Sequence, residues 1–394
     1  MSLDLDRASA LLSEDDFLQL VHSGIWSFYS RLKGLPPSIP DWQNSAELRL
    51  PTLLDTAESI PALHRNLAGF FGLEAPPPPA ELTLADYARE LRQRWLAGRR
   101  QVIFHSSGST GEPQTHPSSE AFLRQEISET AQLFGHLNRV VATVPLMHSF
   151  GLVFGLLMPG RLKIPAVSVA PLPSVVMAAL RPGDLLLIFP LLLSRLSASP
   201  PEGVSLLSST APCPEALFQE MTSRGFQSMT EIYGASETGA VGWRKTPGPF
   251  QLLGHWRKAD DLNLERTNPE GGRLLQPLPD RLRWYGPRHF LPLGRLDMAV
   301  QVAGVNVYPR RVAALIQEHP QVLEAAVRPM KPGEGERLKA FVAPRPGADE
   351  HILRQELNEL FQKRLSPPER PGSLRFGAEI PRTVAGKLRD WKIR

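Results

Sequence analysis

Gln101-Val102-Ile103-Phe104-His105-Ser106-Ser107-Gly108-Ser109-Thr110-Gly111 is a short β-branched and aliphatic run that breaks into small and polar residues. The chain repeats that device. Val140-Val141-Ala142-Thr143-Val144 runs into Pro145-Leu146-Met147-His148, Val204-Ser205-Leu206-Leu207 leads to Ser209-Thr210-Ala211-Pro212, and Met229-Thr230-Glu231-Ile232-Tyr233 leads to Gly234-Ala235-Ser236-Glu237. Helical patterns lie between these runs, such as Phe122 to Leu137 and Pro214 to Arg224. Strands alternating with helices predict an α/β fold of βα units around a largely parallel sheet. Ligands of such sheets bind beyond the carboxyl ends of the strands, where all of these polar clusters fall.

Outward from that middle, the chain changes character on both sides. Residues 1–100 carry helical patterns broken by proline, including Leu82 to Ala97 after Ala75-Pro76-Pro77-Pro78-Pro79, and show no readable chemistry. After Arg295, Met298 to Val307 alternates as a strand pair around Gly304, and Arg310 to Glu318 reads as a helix. Val322 to Arg328 and Lys339 to Ala343 read as strands, Asp349 to Arg364 as a helix, and a short strand lies near Leu374. This is a small α+β unit of about a hundred residues, a plausible domain by size. The expected division is residues 1–296 and residues 297–394, within the two or three domains that 394 residues suggest.

Composition excludes several classes. The 44 Lys and Arg against 40 Asp and Glu leave a net charge of +4, too thin for a nucleic-acid arm or a polybasic membrane anchor. One cysteine, Cys213, makes no internal disulfide and no zinc or iron–sulfur spacing. Met1-Ser2-Leu3-Asp4-Leu5-Asp6 is acidic where a secretory signal is basic. Leu185 to Leu193, flanked by Asp184 and Arg195, is about half the ~20 residues of a membrane span and reads as a buried strand ended by Pro190. A reducing, cytoplasmic setting is expected. The 39 prolines, roughly twice the usual share, mark a chain rich in turns.

Ser106 to Gly111 is the sharpest local signal. Consecutive Gly, Ser and Thr after a strand let backbone N–H groups and hydroxyls converge on a phosphate without obstruction. It is not a Walker A loop, because Gln114 stands where a lysine is expected. Taken alone, the segment is as consistent with a Ser/Gly linker.

The order of motifs resembles the adenylate-forming superfamily of acyl- and aryl-CoA synthetases, luciferases and peptide-synthetase adenylation domains. Ser106 to Pro113 is similar to its phosphate loop, and Pro145-Leu146-Met147-His148-Ser149-Phe150-Gly151 to its Pro-x-x-His-x-x-Gly segment. Ser209-Thr210-Ala211-Pro212 resembles the adenine-binding stretch, and Tyr233-Gly234-Ala235-Ser236-Glu237 the Tyr-Gly-x-Thr/Ser-Glu motif. Gly294-Arg295-Leu296-Asp297 is similar to the hinge, and Pro381 to Lys387 to the C-terminal Pro-x-Thr-x-x-Gly-Lys loop. The short region before the phosphate loop resembles compact ligases of bacterial aryl-polyene and related lipid pathways.

The resemblance implies a large N-terminal ATP- and acid-binding domain with mixed sheets and a small mobile C-terminal lid. It implies ATP with Mg2+, a carboxylic acid substrate, and coenzyme A or an acyl carrier protein as acceptor. Glu237 would hold the magnesium, and Lys387 would bridge the substrate carboxylate and the α-phosphate. The nucleotide would lie against Ser106, Ser107, Gly108, Ser109, Thr110, Gly111, Ser209, Thr210, Ala211, Tyr233, Gly234, Ala235 and Ser236. Asp280, at the family's spacing from Arg295, would accept the ribose hydroxyls, unless the two are a charged pair on a surface turn. His148, Phe150, Thr210 and Ala235 would border the acyl pocket, with His148 also positioning or gating at the reacting carboxylate. Asp297 would be the hinge, and Gly304, Asn306 and Pro309 would approach the thiol tunnel. Departures include Gln114, Thr210 in place of a common glycine, and Arg311 and Ala313 where glutamates are usual. An amide-forming ligase and a non-catalytic nucleotide-binding homologue remain alternatives.

Overall fold

A computed structural model describes residues 10–33, 46–49, 59–74, 82–107, 113–296, 299–331, 333–381 and 388–393. The chain forms two compact units: Met1–His105 with Thr115–Leu293, and Ser106–Gln114 with Gly294–Arg394.

The first strands are β1 (Gln101–Ser107) and β2 (Pro113–Ser119), followed by β3 (Arg139–Ala142), β4 (Ala166–Ser168), β5 (Asp184–Ile188), β6 (Ser205–Ser208), β7 (Ser228–Ala235), β8 (Gly239–Arg244) and β9 (Phe250–Leu252). A separate three-stranded sheet holds β10 (Trp256–Lys258), β11 (Asn263–Thr267) and β12 (Arg273–Pro277), and β13 (Asp280–Tyr285) and β14 (His289–Arg295) return to the main sheet. That main sheet has nine strands in the order β13-β14-β9-β8-β7-β6-β5-β3-β4. Its β4-β3-β5-β6-β7 half is parallel, with Val140 opposite Leu185 and Leu206 opposite Met229. From β7 through β8 to β9, and from β9 to β14, the pairing is antiparallel.

Two features correct the sequence reading. The strand before the phosphate-loop segment is outside the main sheet, since β1 pairs with β2 in a two-stranded sheet. The Tyr233 motif ends β7 and turns into antiparallel β8, not into a helix. An alternating apolar run shows which side chains face a core but not which strand will pair with it.

The parallel half forms for the reason its sequence suggests. Every residue of Asp184-Leu185-Leu186-Leu187-Ile188 is buried, as a central parallel strand covered on both faces requires. Odd and even residues feed different cores. Val140, Ala142, Leu185, Leu187 and Leu207 join one cluster, while Val141, Leu186, Ile188 and Leu206 join the other. The first cluster also takes in residues 1–100 through the helices Glu14–Lys33, Ser59–Phe70 and Leu84–Ala97. Phe17 stacks on Phe71 at 4.4 Å and meets Trp95 edge-on at 5.7 Å. Thr83 caps the helix Leu84–Ala97 by accepting the Asp86 N–H.

In the smaller unit, β15 (Val300–Val302) and β16 (Val305–Val307) form a hairpin whose turn, Ala303-Gly304, has φ of 50° and 79°. Two positive values in a two-residue loop are the type I′ geometry that glycine favours. Helix Pro309–Gln317 follows. Then β17 (Val322–Pro329), antiparallel β18 (Leu338–Pro344) and parallel β19 (Ser373–Phe376) form a sheet backed by helix Glu350–Arg364. This is the expected α+β unit. Arg311 forms an ion pair with the buried Glu369 at 2.6 Å, so one departure from the glutamate pattern serves local packing.

Candidate active site

Three loops at the carboxyl ends of β3, β6 and β7 carry most of the expected residues of the larger unit. The loop after β3 is set by a close approach. A Cβ at Gly151 would stand 2.0 Å from the Pro145 carbonyl oxygen, so only glycine lets the π-helix Gly151–Leu157 begin there. The Leu146 N–H donates to Ser23 Oγ at 2.8 Å, which ties this loop to helix Glu14–Lys33. The Phe150 N–H reaches His148 Nδ1 at 3.3 Å, assigning that nitrogen as an acceptor. Solvent reaches the His148 side chain, while surrounding protein atoms hold its imidazole below the ordinary pKa by desolvation. Phe150 is buried and packs on Phe154 at 5.4 Å.

After β6, Ser209 Oγ donates to the Ile232 carbonyl at 2.9 Å. Thr210 then turns the chain with φ of 76°, a left-handed conformation costly for a β-branched residue. That explains why glycine is common at this point in the family pattern. Thr210 Oγ1 is buried with no hydrogen-bond partner among the described residues. The loop is held from below: the Cys213 N–H donates to Glu231 Oε1 at 3.0 Å, and Arg244 pairs with Glu231 Oε2 at 2.6 Å. The Arg244 guanidinium lies 4.5 Å from the Phe250 ring centroid. Burial pushes the Cys213 thiol up to about 12, which removes it as a nucleophile.

After β7, the chain turns through Ser236, Glu237 and Thr238 into β8. Gly234 is required because a Cβ there would meet the Gly239 carbonyl oxygen at 2.3 Å. Thr238 Oγ1 accepts the Ala235 N–H at 3.1 Å and donates to the Gly239 carbonyl at 2.9 Å. Ser236, Glu237, Thr238 and Gly239 line a cavity together with Glu126 and Arg266. Glu237 is half-buried there. A carboxylate at the rim of such a cavity fits Mg2+, which takes one or two carboxylates and completes its shell with phosphate and water. Among the described residues no cluster of three or more His, Cys, Asp or Glu offers a fuller cage.

Tyr233 and Asp280 are brought together across the sheet. The Tyr233 hydroxyl donates to Asp280 Oδ2 at 2.7 Å, and Asp280 is buried, which excludes the surface-turn alternative for it. The tyrosine ring rests on Phe290 and Phe250 at 5.2 and 5.8 Å. Arg295 ends β14 and belongs to the smaller unit, as do Gly304 in its hairpin turn, Asn306 beside Gln301, and Pro309 at the start of its helix. Gly108 to Gly111, Asp297 and Lys387 lie outside the described residues. The Arg389 N–H donates to the Pro381 carbonyl at 2.8 Å. Lys339, fully buried, pairs with Asp390 at 3.0 Å and donates to the Trp391 carbonyl at 2.7 Å.

Sequence reasoning missed Glu126, Glu231, Arg244, Arg266 and Ser23. A signal existed for two of them. Glu126 stands with Leu123, Ile127 and Thr130 on the buried face of helix Glu120–Thr130, and Arg266 occupies the same inward phase of β11 as Leu264. A charge in an apolar phase is the informative observation.

Residues 311–387 match the AMP-binding enzyme C-terminal domain family. A 4-coumarate–CoA ligase of Halorhodospira halophila is 37% identical over 292 residues, 73% of this chain and 74% of that protein. A 4-coumarate–CoA ligase of Rhodobacter capsulatus is 38% identical over 326 residues, 79% of this chain and 82% of its own. Coverage is nearly equal on both sides, so these relatives are similar to this chain in length. Among solved structures, the amide bond synthetase McbA of Marinactinospora thermotolerans superposes with a TM-score of 0.65 at 18% identity, covering 95% of this chain and 92% of its own, a likeness of fold.

Proposed function

The chain belongs to the AMP-binding family of adenylate-forming acid ligases, and from that premise we propose that it activates an aryl carboxylic acid with ATP and passes the acyl group to the thiol of coenzyme A. The aryl class and the thiol acceptor rest on one observation: the relatives that are 37% and 38% identical over about three quarters of this chain are both 4-coumarate–CoA ligases.

In the first half-reaction a carboxylate oxygen attacks the α-phosphorus of ATP, the bond to the bridging oxygen breaks, and pyrophosphate leaves with its electron pair. In the second, the thiol attacks the acyl carbon, loses its proton, and AMP departs. Asp280, which accepts the Tyr233 hydroxyl, would also accept the ribose hydroxyls. Thr210 and Ala211 offer backbone groups to the base, and the Tyr233 ring borders it. Glu237 would hold Mg2+, which neutralises phosphate charge when bound. The Lys387 ammonium would hold the carboxylate in line with the α-phosphate and stabilise the charge that grows there. His148 borders the reacting carboxylate, with Phe150 and Ala235 behind the acyl group. Rotation about Asp297 would exchange Lys387 for Gly304, Asn306 and Pro309 between the half-reactions, a conformational step of the lid type.

The test is carboxylate-dependent exchange of labelled pyrophosphate into ATP across a panel of aryl and aliphatic acids. Exchange with 4-coumarate or a close aryl acid, followed by thioester formation with coenzyme A, is the expected result. A folded protein that binds ATP and exchanges with no acid would overturn the ligase reading. Lys387→Ala is expected to abolish exchange while leaving thioester formation from supplied acyl-adenylate within a few-fold.

A further inference from the structure

The cavity that Glu237 faces contains a second carboxylate with no part in the chemistry above. Glu126 is 4% exposed, and burial raises its pKa against the opposing influence of Arg266. Its Oε1 accepts the Ala240 N–H at 2.9 Å, on the second residue of β8 after the turn Ser236–Glu237–Thr238. Its Oε2 occupies the space above Gly239, where a Cβ would stand only 2.5 Å away and where φ is 68°. The carboxylate thus fills the place a side chain at Gly239 would take, and it holds the far end of the turn by its backbone.

Arg266 completes the arrangement. Its Nε donates to Gln125 Oε1 at 2.9 Å and its Nη2 to the Phe122 carbonyl at 3.0 Å, both on the helix that carries Glu126. The guanidinium lies 4.4 Å from the Phe122 ring centroid and 5.4 Å from that of Trp256. It therefore fixes the helix beside the turn and offsets the buried negative charge. Thr238 braces the turn from within, but nothing in that internal bond sets its height over the cavity.

We infer that Glu126 is a positioning residue for Glu237: by accepting the Ala240 N–H and filling the space over Gly239, it aims the turn so that the Glu237 carboxylate meets the metal held by the nucleotide phosphates. The inference rests on the reading of Glu237 as the magnesium ligand. Residues that orient a metal ligand without touching the metal shift metal affinity or activity ~10- to 100-fold when removed.

The experiment measures pyrophosphate exchange against Mg2+ concentration at fixed ATP for Glu126→Ala, Glu126→Gln and Glu237→Ala, with thermal unfolding of each. Glu126→Ala is expected to raise the half-saturating Mg2+ ~10-fold. Its KM for the acid and its thioester formation from supplied acyl-adenylate should stay within about twofold of the parent. Glu126→Gln keeps an acceptor oxygen for the Ala240 N–H and is expected to restore the Mg2+ requirement to within about threefold. If the alanine variant does not fold, Glu126→Asp, whose carboxylate is withdrawn by one methylene, should show the same rise. Equal loss of both half-reactions with an unchanged Mg2+ requirement would overturn the inference, as would a glutamine variant no better than alanine. A changed Mg2+ requirement in Glu237→Ala with none in Glu126→Ala overturns the positioning role alone. No change in Glu237→Ala overturns the assignment of Glu237 itself, and the inference with it.

Discussion

The loops after β6 and β7 are built by the same device with one difference. In each, a buried glutamate accepts a backbone N–H of the loop, Glu231 from Cys213 and Glu126 from Ala240. In each, an arginine stacked on aromatic rings supplies the compensating charge, Arg244 on Phe250 and Phe218, Arg266 on Phe122 and Trp256. Glu231 and Arg244 close on each other at 2.6 Å. Glu126 and Arg266 form no ion pair among the described residues, and both line the cavity that Glu237 faces. The closed pair belongs to the loop expected to meet the adenine, a neutral ring needing fixed walls. The open pair belongs to the loop expected to meet the metal and phosphates, where charge arrives with the substrate.

Breaking the closed pair should have the largest effect. Glu231→Ala leaves Arg244 buried without its carboxylate, and removing one partner of such a pair costs about 3–5 kcal/mol. Urea denaturation is expected to show that loss, with both half-reactions falling together. A smaller loss than in Glu126→Ala would dissolve the distinction between the two loops. Gly239→Ala attacks the open side, since its Cβ would meet Glu126 Oε2 at 2.5 Å and φ is positive. The left-handed conformation alone costs about 1–2 kcal/mol, so denaturation should show at least that loss together with a raised Mg2+ requirement.

A third test uses His255, which packs on Trp256 at 5.6 Å and has neither ring nitrogen hydrogen-bonded among the described residues. Burial, with Arg266 adding to it, lowers its pKa from 6.5 to about 3. A base with a depressed folded pKa contributes stability above its unfolded pKa and loses it as pH falls. Here the loss runs from pH 6.5 toward 3 at up to about 1.4 kcal/mol per unit. His255→Phe should flatten unfolding free energy over that window by about this slope, and an unchanged slope would show that the ring is charged in place. The smallest effect is expected at Thr210→Gly. Relief of its positive φ should stabilise the β6 loop by about 1 kcal/mol, read from the denaturation midpoint. A loss there would mean that the threonine side chain contributes packing that outweighs the strain.

The legible parts of the molecule were those whose signal is local. The buried run at Leu185 to Ile188, the hairpin around Gly304 and the helix after Asp349 follow from a few neighbouring residues. So did the motif residues, because Gly151 and Gly234 are each demanded by a backbone atom only a few positions away. The placement of β1 was not legible, since its apolar pattern suits either sheet. Nor was the contribution of residues 1–100, where Ser23 supports a loop from 123 positions away.

By itself the sequence determined the alternation of elements, the parallel core and the residues of the tight turns at Gly151 and Gly234, because burial phase and turn chemistry act over short stretches. Only the tertiary structure decided which buried charges hold those residues in place. Glu126 and Arg266 are far apart in sequence, Glu231 and Arg244 meet only across the β7–β8 pair, and none of them carries a motif. Each is tolerable only where packing excludes water and supplies its partner, and that condition exists only once the chain has folded.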